Sequence, residues 1–265
     1  MTPDEEMSMT TLHRRKLLRS GLGLASGLSL AGCQPISDYA WIKSLIGVGE
    51  TVNLAVQRSL LGRATLAPEF TEAELSPVFK PNGTSDPPDD EYKRLASKAF
   101  ADYRLVMDGL VEKPVRLSVG DLRALPARTQ ITRHDCVEGW SAIAKWKGVP
   151  LAALLDQVGV ASRARYVVFH CFDTMEQSLS GPVRYYESID FVDARHPQTI
   201  LAYEMNDKAL PVEYGAPLRL RVERQLGYKM AKYIRRIELV NDYSRIGEGR
   251  GSYWADRGYD WFTGI

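Results

Sequence analysis

The chain has 265 residues, 45% of them hydrophobic and 25% charged, a composition that suits a soluble globular protein with one large core or two small ones. Its formal net charge of +1 supplies no global field toward nucleic acid or an anionic membrane surface, so basic residues have to be read locally. Three cysteines are too few for a disulfide scaffold, and a chain of this length needs none for stability.

Residues 1–33 read as an export signal. His13-Arg14-Arg15-Lys16-Leu17-Leu18-Arg19 precedes an apolar Gly-, Leu- and Ala-rich run that ends Leu30-Ala31-Gly32-Cys33. The run from Leu22 to Gly32 falls short of the roughly 20 residues that span a bilayer. The paired arginines resemble the twin-arginine signal that exports folded proteins, and Leu-Ala-Gly-Cys resembles a lipobox, in which Cys33 is lipidated. The alternative is an ordinary cleaved signal with a chance cysteine. Lipidation implies a soluble domain in the cell envelope, anchored to a membrane.

Residues 34–78 form a helical extension, in which Trp41, Leu45, Val48, Val52, Ala55 and Leu60 keep roughly helical spacing up to Gly62. A Pro-, Gly- and Asp-rich loop follows from Pro77 to Asp90. Tyr103 to Asp108 reads as a strand closed by Asp108-Gly109, and Ser118 with Asp121 resembles a capping box. Pro150 starts a helix carrying Leu151, Leu154, Leu155 and Val158, and Gly159 ends it. Tyr166 to Phe172, the alternation around Leu218-Leu220-Val222 and Ile234 to Val240 read as strands. Few short helices among mixed sheets predict an irregular α+β domain over residues 79–243. The aromatic- and Gly-rich residues 244–265 predict a docked tail.

No phosphate-cradling loop, nucleophile elbow, zinc-type cysteine pair or haem-attachment motif is present. What stands out is Arg133-His134-Asp135-Cys136-Val137-Glu138-Gly139-Trp140-Ser141. Arg133 and His134 beside Cys136 suggest a thiolate of low pKa. A disulfide to Cys171 and a zinc site built from Cys136, Cys171, His134 and His170 are the alternatives, the second awkward because neighbours on a strand face opposite ways. Arg219 and Arg221, on one strand face, read as a solvated pair. Glu138 reads as a proton relay if its pKa is raised, otherwise as a surface carboxylate.

Cys-Val-Glu-Gly-Trp-Ser, with Trp146-Lys147-Gly148-Val149-Pro150-Leu151, resembles the core of the sulfite oxidase family, most closely its periplasmic methionine sulfoxide reductase catalytic subunits. Tyr214-Gly215-Ala216-Pro217-Leu218-Arg219-Leu220 with Gly227-Tyr228-Lys229 resembles the family's second signature. The resemblance implies a sulfite oxidase-type molybdopterin-binding domain and a molybdenum-molybdopterin cofactor (Mo-MPT). It implies Cys136 as the metal ligand, Arg219 and Lys229 around the pterin phosphate, Gly227 and Tyr228 against the cofactor, and Asn82 bonded to the pterin. Cys171 and Tyr214 stand where the family has threonine and asparagine, which leaves the substrate open. The implied activity is two-electron oxygen-atom transfer, as reduction of an S- or N-oxide such as methionine sulfoxide. Sulfite oxidation with a cytochrome acceptor, or a cofactor-free binding lipoprotein, are the alternatives. Electrons are expected from a separate membrane haem protein or periplasmic cytochrome c. No haem domain and no second sandwich domain are expected.

Overall fold

The computed structural model describes residues 48–49, 52–59, 62, 64–179 and 181–265. The expected export signal, Cys33 and residues 34–47 of the helical extension lie outside them; of the rest of that extension, residues 52–59 are helical, while 64–78 carry, as helix, only the 3-10 turn Glu72–Glu74. The chain divides into two compact units, Met1–Asn53 and Leu54–Ile265, and all that follows concerns the second. Among the described residues no helix is long and apolar enough to cross a membrane.

Two sheets carry the second unit. The first has strand order β2-β1-β10-β5-β6, from β1 (Leu105–Gly109), β2 (Val115–Leu117), β5 (Tyr166–Ser178), β6 (Gly181–Asp190) and β10 (Ile234–Val240). β1 runs parallel to β10, and the other pairings are antiparallel. The second has the order β3-β4-β7-β8, from β3 (Arg128–Asp135), β4 (Ser141–Pro150), β7 (Ile200–Met205) and β8 (Lys208–Ala209), with β9 (Arg219–Arg221) on β7. The mixed sheets and short helices are the α+β architecture that the sequence predicts.

Local chemistry explains the helices. In α1 (Asp90–Ala96) the Asp89 carboxylate accepts from the Tyr92 backbone N–H at 3.0 Å, which caps the helix and lets Tyr92 and Leu95 enter the core. The predicted capping box of Ser118 and Asp121 opens α2 (Val119–Ala124). In α3 (Leu151–Val158) the spacing i, i+3, i+4, i+7 buries Leu151, Leu154, Leu155 and Val158 completely. A single turn, α4 (Phe191–Ala194), follows β6.

The larger core joins α1 and α3 to Leu105, Met107, Val167, Phe169, Ile237 and Leu239 of the first sheet. The smaller joins Phe79 to Ala142, Ala144 and Trp146 of β4 and Ile200 and Ala202 of β7. β3 escapes the sequence reading because its inward positions are polar. Gln130, Thr132 and His134 are all buried, and Gln130 donates to the Gln198 carbonyl at 3.0 Å and to Glu223 at 2.7 Å. The β5 strand outruns its predicted end at Phe172, because register shifts beyond His170 let its pairing with β6 continue to Ser178.

The tail docks as predicted. Tyr253, Ala255 and Phe262 are buried, the Trp261 indole donates to the Ser188 hydroxyl at 2.8 Å, and the Tyr228 hydroxyl donates to the Asp260 carbonyl at 2.7 Å.

Candidate functional site

Cys136 stands at the tip of the β3–β4 hairpin. Its N–H donates to the Trp140 carbonyl at 2.9 Å, and the Gly139 N–H returns to the Cys136 carbonyl at 3.0 Å, with Gly139 at φ +83° closing the turn. The half-buried thiol opens on a cleft of about 780 Å³ including its mouth. Asn82, Gly83 and Thr84 line one wall, and Gly227 with Met230, Ala231 and Lys232 another. Asp173 and Met175 of β5, Tyr185 of β6, and Tyr228, Trp254 and Tyr259 complete it. Segments far apart in sequence therefore meet around one sulfur.

The cationic neighbours expected to lower the thiol's pKa are engaged elsewhere. Arg133 pairs with Asp135 at 2.9 Å, and His134 is fully buried, its imidazole held neutral by burial and by the Arg219, Arg221 and Lys232 charges. Burial pushes the Cys136 thiol up, and the Glu138 carboxylate adds to this. The disulfide alternative is overturned by geometry: both cysteines are free, and Cys171 is packed in the larger core. Among the described residues no group of three or more His, Cys, Asp or Glu side chains is placed to hold a metal ion, so the zinc alternative falls too.

Behind Asn82 lies a buried arginine pair on β9. The solvated-face reading fails, since Arg219 and Arg221 are both fully buried, their guanidiniums 5.3 and 4.4 Å from the centre of the Trp146 ring. Arg221 is neutralised by Glu223, whose carboxylate accepts from its Nε at 2.9 Å. Arg219 donates to two neutral oxygens, Asn82 Oδ1 at 3.1 Å and the Tyr214 carbonyl at 3.3 Å, and its buried Nε has no partner. Burial and the Arg221 charge push its pKa down to about 9.

Lys232 is the second uncompensated cation. Its ammonium donates to the carbonyls of Thr84 and Glu213, and burial followed by the Arg219 charge pushes its pKa down to about 7. Gly215, at φ +113°, makes room for it, since a Cβ there would meet the Lys232 side chain at 2.9 Å. Two cations that depress each other beside Asn82 and Cys136 form a site complementary to an anion. The buried His134 Nε2, also without a partner, lies against Gly227, where a Cβ would come within 2.3 Å of the imidazole.

Of the residues singled out in the sequence, Asn82, Cys136, Glu138, Gly227 and Tyr228 line the cleft. Arg219 stands behind Asn82. Lys229, Cys171 and Tyr214 do not line it. Lys229, the last residue of the 3-10 turn Gly227–Lys229, is fully buried, pairing with buried Glu187 and donating to the Ser188 carbonyl at 3.0 Å. Lys232, three residues on, lines the cleft. Tyr214 donates from its hydroxyl to the Phe79 carbonyl at 2.7 Å and packs on the smaller core. The relay suggested for Glu138 needs a raised pKa. Bonds from the Trp140 indole at 3.0 Å and from Lys80 at 3.1 Å hold this exposed carboxylate below its ordinary value instead. Sequence reasoning missed Lys232 and Asp173, whose signal was a charged residue at an inward position of an otherwise apolar segment.

Comparison with known proteins identifies the family. Residues 93–246 match the oxidoreductase molybdopterin-binding domain, more than half of the chain. A protein of Azospira oryzae named as a protein-methionine-sulfoxide reductase subunit is 38% identical over 95% of this chain and 87% of its own length. The protein-methionine-sulfoxide reductase catalytic subunit of Xanthomonas campestris pv. campestris is 32% identical over 90% of this chain and 74% of its own. The sulfane dehydrogenase of Paracoccus pantotrophus aligns at a TM-score of 0.46 and 25% identity, covering 57% of this chain and 44% of that one. The chain therefore belongs to the molybdopterin-binding oxidoreductases of the sulfite oxidase family.

Proposed function

We propose that this enzyme holds a molybdenum-molybdopterin cofactor through Cys136 and reduces S- or N-oxides, with methionine sulfoxide as the leading substrate. The observation that carries the proposal is the pair of buried cations, Arg219 and Lys232, bonded only to neutral oxygens in and behind the cleft that Cys136 enters. A phosphate supplies the missing anion, and a guanidinium beside an ammonium suits it. The Cys136 thiolate is a soft ligand, matched to a metal already bound by sulfur. Asn82, Gly227 and Tyr228 offer an amide, a bare backbone and an aromatic face to the pterin. When bound, the molybdenum supplies two-electron redox chemistry and oxygen-atom transfer.

The choice of substrate rests on the mouth of the cleft. Met175, Tyr228, Trp254 and Tyr259 give it an apolar, aromatic wall that suits a neutral thioether oxide. The names of the Azospira and Xanthomonas relatives point the same way. With reduced viologen, methionine sulfoxide should turn over with a kcat/KM at least about tenfold above that for sulfite with ferricyanide, a difference of about 1.4 kcal/mol. A preference for sulfite would overturn the assignment.

The proposal includes twin-arginine export into the cell envelope, a lipid anchor at Cys33, and a separate membrane haem protein or periplasmic cytochrome c as electron donor. Its support is the sequence of residues 1–33. Replacing Arg14 and Arg15 by lysine should strand the protein in the cytoplasm, read by cell fractionation. Unchanged export would contradict the twin-arginine route.

A further inference from the structure

Asp173 lies in the wall of the same cleft, on β5, and is 6% exposed. Its side chain is hydrogen-bonded to Thr84, while its Oδ1 is buried and has no hydrogen-bond partner. Four nearby side-chain donors are committed elsewhere. Tyr92, from α1, donates to the Ala216 carbonyl at 2.8 Å, and Tyr233 donates to the Thr84 carbonyl at 2.8 Å. Tyr253, from the tail, donates at 2.5 Å to Glu176, and Lys232 donates to the carbonyls of Thr84 and Glu213. The Cys171 thiol, on the same strand, is buried in the core and held neutral.

An ionised carboxylate leaves that lone oxygen charged and unsatisfied, whereas protonation removes the charge and gives the carboxyl an O–H to donate. Around Asp173, the Thr84 hydrogen bond and the Lys232 charge favour ionisation; Tyr92, Tyr233, Tyr253 and Cys171 are uncharged at neutral pH. Burial wins, and the carboxyl is held above its ordinary range.

We propose that Asp173 is the acid of this cleft, giving its proton to the oxygen of the bound S-oxide as the sulfur–oxygen bond breaks. The inference rests on the S-oxide reading above. In the balanced half-reaction the S–O bond breaks, sulfur gains two electrons from the one-electron haem donor acting twice, and the oxygen leaves as water with two protons. Asp173 supplies one proton and recovers it from solvent; the other comes from solvent directly.

The test uses the cofactor-loaded enzyme and its Asp173→Asn and Asp173→Glu variants, with methionine sulfoxide and reduced viologen. Asp173→Asn should keep the molybdenum content and, within a few-fold, the KM of the parent, and lose about 100-fold or more in kcat. Because the acid must be protonated, the parent's kcat should fall as pH rises through the raised Asp173 pKa. That decline should vanish in Asp173→Asn and return in Asp173→Glu. An asparagine variant with the parent's kcat and pH profile overturns the proposal. So does one that loses molybdenum, which would make Asp173 a cofactor contact. If the parent enzyme reduces no S-oxide, the S-oxide reading has failed, and infrared spectroscopy at neutral pH decides on Asp173 separately. A carboxylic acid band present in the parent and absent from Asp173→Asn supports the acid, and its absence from both overturns it.

Discussion

Cys136→Ser, made in cells that synthesise the cofactor, is expected to lose turnover by about 1,000-fold, roughly 4 kcal/mol of barrier, while folding normally. The thiol is half-buried at a hairpin tip whose shape is fixed by backbone bonds between Cys136, Gly139 and Trp140, and serine preserves all of them. The melting temperature should therefore stay within a few degrees of the parent's, a surface-scale change of about 0.5 kcal/mol. A hydroxyl is a harder and far less acidic ligand than a thiol, so the metal loses its match. Circular dichroism with steady-state assays separates the two effects. Unaffected turnover would remove Cys136 from the metal.

The second large effect is on cofactor affinity, and it distinguishes Lys232 from Lys229. Arg219→Met and Lys232→Met should each weaken cofactor retention by about 10- to 150-fold, the worth of a charged hydrogen bond of roughly 1.5–3 kcal/mol. The cofactor-free proteins should be as stable as the parent or more so, because each substitution removes a buried cation bonded only to neutral oxygens. Lys229→Met should behave in the opposite way. It breaks the fully buried pair with Glu187 and should cost about 3–5 kcal/mol of stability whether or not cofactor is bound. Chemical denaturation with and without cofactor reads all three. A Lys232→Met protein with full cofactor content would refute the phosphate assignment.

The contrast between Lys229 and Lys232 shows where sequence reading stopped. Lys229 closes the second signature and Lys232 follows three residues on, yet Lys229 pairs with Glu187 while Lys232 lines the cleft. Periodicity does not carry that information, because the facing is set by the 3-10 geometry and by Glu187, on a strand far away in sequence. The α3 helix, the α2 capping box and strands β1, β5 and β10 were legible because their apolar spacing or cap residues state the geometry locally. β3 was not, since its inward residues Gln130, Thr132 and His134 are polar, with Gln130 bonded to Gln198 and Glu223 and His134 Nδ1 facing Arg221. The hairpin that presents Cys136 could therefore be placed only by motif. Asp173 escaped for a related reason: a carboxylate at the end of an apolar run looks like a strand end until the strand is seen to continue past it to Ser178.

The burial of Arg219 and Arg221 has a consequence for assembly. Two guanidiniums beside Trp146 fix how the smaller core meets β9, and Glu223 compensates only one of them. A bound phosphate would compensate the other, so cofactor and fold should stabilise each other, with melting temperature rising with cofactor content.

The most direct measurement is the metal and pterin content of the protein purified from cofactor-competent cells, with X-ray absorption at the molybdenum edge on the parent and on Cys136→Ser. About one molybdenum and one pterin per chain are expected, with one sulfur ligand beyond the pterin dithiolene that the serine variant loses. A well-folded parent protein without molybdenum, or an unchanged sulfur shell in Cys136→Ser, would contradict molybdenum ligation by Cys136.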